Sequence, residues 1–135
     1  LLFWRWRRPP AFLQKFHVNF LDVTYGTSFH KCIYILCANE GELTEAGKQA
    51  REAFSMQDTP FMPHMSLLYS DIAEEHRGKC AAEAVQRLYG DGSDYSTLLP
   101  DNGCSICAVS LWYTPVEDKS LQSWKKLEEW ELQDP

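Results

Sequence analysis

No stretch of this chain approaches the length of apolar sequence that a membrane span requires, and no signal peptide is recognisable. Basic residues are also in short supply, 13 Lys and Arg against 19 Asp and Glu, for a net charge of −6. Arg5, Arg7 and Arg8 sit in the first ten residues, and without them 10 basic residues face 19 acidic ones, a net of −9. Such a body is poorly suited to a long nucleic-acid backbone, which is held by many Lys and Arg contacts. Metal-ligand spacing is thin as well. Cys104-Ser105-Ile106-Cys107 is a lone CxxC, and Cys32 and Cys37, five apart on a predicted strand, point to opposite faces rather than completing a zinc site. Five cysteines is an odd number, which fits reduced thiols in a cytoplasmic compartment and leaves open a single disulfide, for instance within Cys104 to Cys107. There is no initiator methionine, no internal repeat, no low-complexity tract and no domain linker.

What is present suffices for one modest core, with 44% hydrophobic and 13% aromatic residues in 135. Residues 1–15 are a basic, aromatic segment, Leu1-Leu2-Phe3-Trp4-Arg5-Trp6-Arg7-Arg8-Pro9-Pro10 and beyond, which the diproline sets apart from the patterned chain. From residue 16 to 135, α and β patterns alternate. Phe16, Val18 and Phe20 alternate up to a turn at Tyr25-Gly26-Thr27, and Phe29 to Cys37 reads as a central strand, apolar on both faces near its end. Asn39 to Leu43 turns the chain. Thr44 then caps a helix with Ala46, Ala50, Ala53 and Phe54 on one face. Asp71 and Glu74 have capping-box spacing for a second helix, with Cys80, Ala84, Val85 and Leu88 as its apolar stripe and Gly90 as its stop. A polar loop over 91–104, a strand from Ile106 to Tyr113, a short helix from Glu117-Asp118 through Trp124 and a last strand from Lys126 to Leu132 complete the pattern. Trp112, Trp124 and Trp130, at strand or helix spacing, read as core.

One run stands out: Thr59-Pro60-Phe61-Met62-Pro63-His64-Met65-Ser66-Leu67-Leu68-Tyr69-Ser70-Asp71. Its prolines hold the approach extended, and strand alternation then puts His64, Ser66 and Leu68 on one face. An imidazole and a hydroxyl project together, about 7 Å apart along the strand. That pair suits a phosphate, because the imidazole moves a proton while the hydroxyl hydrogen-bonds an anionic oxygen. Taken alone, the H-x-S triplet fits a partly buried histidine on an edge strand better than a catalytic one.

The longer string resembles the second signature of the plant-type cyclic phosphodiesterases, members of the 2H phosphoesterase superfamily. Pro63-His64-Met65-Ser66-Leu67-Leu68-Tyr69 carries it, flanked by Gly26-Thr27-Ser28-Phe29 with Cys32, by Glu45-Ala46-Gly47, and by Glu117-Asp118-Lys119-Ser120-Leu121-Gln122-Ser123-Trp124. The resemblance spans roughly Phe16 to Leu132. It implies an α+β, two-lobed antiparallel-sheet fold that opens ribose cyclic phosphates, ADP-ribose 1″,2″-cyclic phosphate or nucleoside 2′,3′-cyclic phosphates, between two H-x-[ST] motifs. One histidine serves as base and the other as acid, both hydroxyls grip the phosphate, and no metal or other cofactor takes part. His64 is then the catalytic residue, Ser66 a substrate-binding one, and the resemblance places Tyr69 near the substrate too. A straight strand would point Tyr69 the other way unless it twists out at Ser70-Asp71. Thr27 reads as a turn hydroxyl beside the site, and Asp71 as a helix cap.

The departure concerns the first motif. Of the four histidines, His17-Val18-Asn19, His30-Lys31-Cys32, His64-Met65-Ser66 and His76-Arg77-Gly78, only His64 has a hydroxyl residue two places on. The family's first motif lies well upstream of its Gly-Thr segment, so residues 16–135 read as a partial domain, the C-terminal portion of a longer one. Two functions follow: a metal-independent hydrolase of a small cyclic phosphate linked to RNA processing, or a catalytically silent remnant that binds phosphate weakly. Loss of N-terminal strands would strip neighbours from apolar strands such as Ile33 to Cys37, so self-association through an exposed sheet is expected.

Overall fold

β2 (Ile33–Cys37) organises one half of the molecule because both of its faces are apolar and buried: Ile33 is 2% exposed, Tyr34 9% and Ile35 3%. A strand of that kind needs a hydrogen-bonded neighbour on each side. It has them in β1 (Phe16–Tyr25) and β3 (His64–Leu68), both antiparallel, and the sheet is completed in the order β3-β2-β1-β4 by β4 (Gly103–Ile106). The strand expected to offer an unpaired edge is therefore central, and among the described residues the edges of this sheet are β3 and β4. The computed structural model describes residues 14–90 and 102–135. Most of the basic N-terminal segment and of the expected polar loop lie outside them.

The chain divides into two compact units. Among the described residues one holds 19–38, 62–90 and 102–104, the other 14–18, 39–61 and 105–135. In the first, α2 (Glu74–Tyr89) covers one face of the sheet, with Val23, Cys32, Ile33, Ile35 and Ala81 buried together and Phe20, Ile72, Cys80, Ala84, Val85 and Tyr89 packed around them. Burying a Val or Ile side chain contributes about 2 kcal/mol relative to leaving it in water. Val23, Ile33 and Ile35 thus supply several kcal/mol, whereas Met65, Leu67 and Leu68 on β3 stay about 40% exposed and supply far less. In the second unit β5 (Ala108–Tyr113) pairs antiparallel with β6 (Lys125–Glu131), and α1 (Gly41–Ala53) is the helix. Gly47 is the buried residue of α1, seated against the ring of Phe61, and the Arg51 guanidinium lies 5.0 Å above that ring while donating to the carbonyls of Gly47 and Thr59.

Several element boundaries differ from the sequence reading, each for a local reason. Phe29–Lys31 forms a 3-10 turn, so β2 starts at Ile33. α1 begins at Gly41, with Glu40 at the N-cap; Thr44 lies inside it and donates its hydroxyl to Asn39 Oδ1 at 2.9 Å. Asp71 does not cap α2: Ala73 occupies that position, and Ser70 Oγ accepts the Ile72 N–H at 3.3 Å. Leu88, expected in the buried stripe, is 51% exposed, while Gly90 does end the helix, at φ 88°. Gly103 and Cys104 belong to a strand rather than to the loop, and the expected strand from Ile106 breaks at Cys107, Ile106 closing β4. Trp112 is 47% exposed, not core.

No helix forms over 117–124. Asp118 competes for the backbone instead: Oδ1 accepts from the Ser120 N–H and hydroxyl at 2.9 and 2.5 Å, and Oδ2 from those of Ser123 at 2.8 and 2.5 Å. Side chains that bond nearby N–H groups favour turns over helices. Leu121, at φ 63°, completes the reversal. Four donors on one carboxylate hold its pKa well below the usual carboxylate range, the Ser120 and Ser123 hydroxyls being the largest causes.

Candidate active site

The register of the three antiparallel strands assigns each side chain to a face. Directly paired residues share a face, so Thr24, Tyr34 and Ser66 form one row across β1, β2 and β3, and Asp22, Leu36 and His64 the next. Val23 pairs with Ile35, and these occupy the other face, toward α2. The His64–Ser66 pair expected from the alternation is thus on one side, and both residues are half-buried. On the opposite side Met65 and Leu67 line an apolar groove with Leu88 and Tyr89.

His64 is held at one nitrogen. Its Nδ1 lies 2.9 Å from the Met62 carbonyl oxygen, and a carbonyl only accepts, so Nδ1 carries a proton and Nε2 is the nitrogen left to exchange one. Pro63, buried between the two, keeps the approach extended; its carbonyl receives the Cys37 N–H at 3.0 Å and ties the start of β3 to the end of β2. The Tyr34 ring meets the imidazole edge-on, with centroids 5.3 Å apart and planes at 66°.

Tyr69 reaches the same side by a route that sequence spacing does not show. Tyr34 pairs with Ser66 but Ile33 pairs with Leu68, so one extra residue, Leu67, is accommodated on β3 as a bulge. Leu68 shares the face of Ile33, and continuing the alternation returns Tyr69 to the side of His64 and Ser66. The parity objection drawn from a straight strand is removed at Leu67, not by a twist at Ser70-Asp71. Beyond the strand, the Ser70 N–H donates to the Phe29 carbonyl at 3.2 Å, and the Tyr69 ring stacks on Phe29 (6.3 Å, 29°) and meets His30 edge-on (5.5 Å, 63°). Tyr69 therefore packs with the 3-10 turn, and His64 packs with Tyr34 and Met62.

Behind these residues lies an arginine that the sequence reading passed over. Arg77, on the first turn of α2, is only 6% exposed and donates to three backbone carbonyls: Ile72 at 3.0 Å, Gly26 at 2.5 Å and Ser28 at 3.3 Å. It holds the Gly26-Thr27-Ser28 segment against α2. Glycine is needed there because a β-carbon at residue 26 would sit 2.5 Å from the Lys31 carbonyl oxygen. Thr27 is exposed in this turn. A signal for Arg77 existed: it lies four residues before Ala81, in line with the apolar stripe.

A sequence model of the family described as cyclic phosphodiesterase-like protein matches residues 11–92, which include the Gly26-Thr27 turn, the His64 strand and α2. The chain belongs to this family. A cyclic phosphodiesterase of Arabidopsis thaliana is 35% identical over 104 residues, which are 76% of this chain and 53% of that protein. The chain thus spans about half the length of the curated relative it matches. For a cyclic phosphodiesterase-like protein the α+β arrangement of two helices with antiparallel sheets is the expected architecture. Cys32 and Cys37 are both buried, Cys32 in the core at 0% exposure, and burial pushes the Cys37 thiol pKa up, away from a reactive thiolate. Among the described residues no cluster of three or more His, Cys, Asp or Glu is placed to hold a metal ion, and no helix is long and apolar enough to cross a membrane.

Proposed function

We propose that this chain supplies one half of a site that opens a ribose cyclic phosphate, with ADP-ribose 1″,2″-cyclic phosphate or a nucleoside 2′,3′-cyclic phosphate as substrate. The observation that carries the reading is the placement of His64 and Ser66 on one face of β3, with Nδ1 of the imidazole tied to the Met62 carbonyl and Nε2 left to move the proton. In the reaction a water oxygen bonds to phosphorus, one ring P–O bond breaks, a base takes the water proton and an acid protonates the departing ribose oxygen. His64 serves one of these two proton transfers, the Ser66 hydroxyl donates to a phosphate oxygen, and Tyr69 flanks the substrate. The partner transfer belongs to the family's other H-x-[ST] motif, absent from these 135 residues. One imidazole cannot both deprotonate water and protonate the leaving oxygen in a single step.

The second reading is a silent, phosphate-binding domain, favoured by that same single motif. Assaying the purified chain with 2′,3′-cyclic AMP and with ADP-ribose 1″,2″-cyclic phosphate separates the two. The first reading expects at most residual hydrolysis, lowered in His64→Ala; the full loss of about 10²-fold, the scale for a general acid or base, belongs to a protein that carries both motifs. Equal rates in the two proteins would remove His64 from the chemistry. No hydrolysis, together with a response of the His64 ring to added inorganic phosphate, would establish the second reading.

A further inference from the structure

We propose that Tyr34 is a positioning residue for His64: its ring, wedged between the Gly26 backbone and the imidazole, fixes the direction in which Nε2 points. This rests on the reading of His64 as the proton-transfer group.

A single hydrogen bond at Nδ1 sets which nitrogen carries the proton but still lets the ring pivot about that contact. A second contact from a different direction is needed to fix the ring plane, and the edge of Tyr34, at 5.3 Å and 66°, supplies it. Tyr34 can act as a stop because it is itself immobilised. It sits on the central strand at 9% exposure, and its Cε1 lies 3.5 Å from where a β-carbon of Gly26 would be. Gly26 in turn donates its N–H to the Cys32 carbonyl at 3.3 Å, and its own carbonyl accepts from the buried Arg77. The support therefore runs from α2 through the glycine turn, whose missing β-carbon leaves room for the Tyr34 ring, to Tyr34 and then to the imidazole. A tyrosine opposite Ser66 on an apolar central strand would serve as core packing whichever way its ring turned. The edge contact with His64 and the seat at Gly26 are what give it a direction.

The test uses the full chain, labelled with 15N at histidine, and inorganic phosphate as the probe. In the native chain, nuclear Overhauser contacts connect the Tyr34 and His64 rings, His64 is the Nδ1–H tautomer, and phosphate perturbs its ring. Tyr34→Phe keeps the ring edge and should reproduce all three results. Tyr34→Leu, with Tyr34→Met alongside in case the smaller side chain does not fold, should leave the tautomer set by Met62 in place, spread the nuclear Overhauser contacts of the His64 ring over more than one orientation, and weaken the phosphate response about fivefold, the size of one aromatic edge contact. A native chain without the Tyr34–His64 contact, or a folded Leu or Met variant with a single His64 ring orientation and an unchanged phosphate response, would overturn the proposal. If phosphate fails to perturb His64 even in the native chain, the functional reading falls, and the comparison of His64 ring orientation alone decides the role of Tyr34.

Discussion

Replacing Arg77 by Met should destabilise the fold by about 3 kcal/mol. Hydrogen bonds from a charged donor contribute about 1.5–3 kcal/mol each. The three at Arg77 do not simply add, because Nη1 serves both Gly26 and Ser28 and its 3.3 Å bond to Ser28 is the weaker. Ser28 is exposed and Gly26 and Ile72 are half-buried, so water can partly replace the lost donor at each carbonyl. The bonds to Gly26 and Ile72 remain, less the desolvation that a buried guanidinium must always meet. Methionine fills much of the same volume, so little cavity is added. Urea unfolding at equilibrium measures the loss as a lower midpoint at unchanged slope. Arg77→Lys, which retains one donor group, should fall between. Amide hydrogen exchange should rise first at residues 26–31, where the anchored turn is released. A loss below about 1 kcal/mol, or exchange that rises evenly throughout, would refute the idea that this arginine anchors the glycine turn.

Three further outcomes are expected. Ser66→Ala should weaken inorganic phosphate binding to His64 by about 10-fold or more, the equivalent of one hydrogen bond to a charged oxygen, while leaving the His64 tautomer unchanged; unaltered affinity would make Ser66 structural. Gly47→Ala should destabilise by about 1–3 kcal/mol in urea unfolding despite the better helix propensity of alanine, because its β-carbon meets the Phe61 ring, and a gain in stability would show that Phe61 yields. The Asp118 carboxyl has a folded pKa below its unfolded value, so its contribution is present above the ordinary carboxylate range near 4 and is lost as pH falls through that range toward the depressed value. The Tm difference between the native chain and Asp118→Asn should accordingly be largest at neutral pH and shrink on acidification; a pH-independent difference would contradict it.

The legible parts of this sequence were those where period and chemistry agree. β3 was visible because two prolines and a period of two put His64 and Ser66 together, and β2 because Ile33 to Cys37 has no polar face. The helices were recognisable as helices but not in their starts, since Thr44 and Asp71 are good caps by residue type and the backbone began α1 three residues before the one and α2 three residues after the other. The 117–124 segment misled because a helix start and an Asp turn draw on the same residue types, and Ser120 and Ser123 decided between them by donating to one carboxylate. Arg77 and Tyr34 were hidden for opposite reasons: an arginine on a helix reads as solvent-facing, and a tyrosine in an apolar strand reads as filler. The strand register reveals what Tyr34 touches, and the packing of α2 against the Gly26 turn reveals what Arg77 touches.

The bulge at Leu67 separates spacing along the chain from direction in space. His64 and Tyr69 are an odd number of residues apart, yet they share a side; a variant lacking Leu67 would make the interval even and still leave them together, on a plain ladder. Adding one residue to a chain that already has the bulge would instead turn Tyr69 toward α2, with every chemically significant side chain still present in the sequence. For such a strand the letters of a motif are an incomplete description of the site. What must persist through insertion and deletion is the count of hydrogen-bonded pairs between Ser66 and Tyr69, and a change in that count can silence the arrangement without altering a single functional residue.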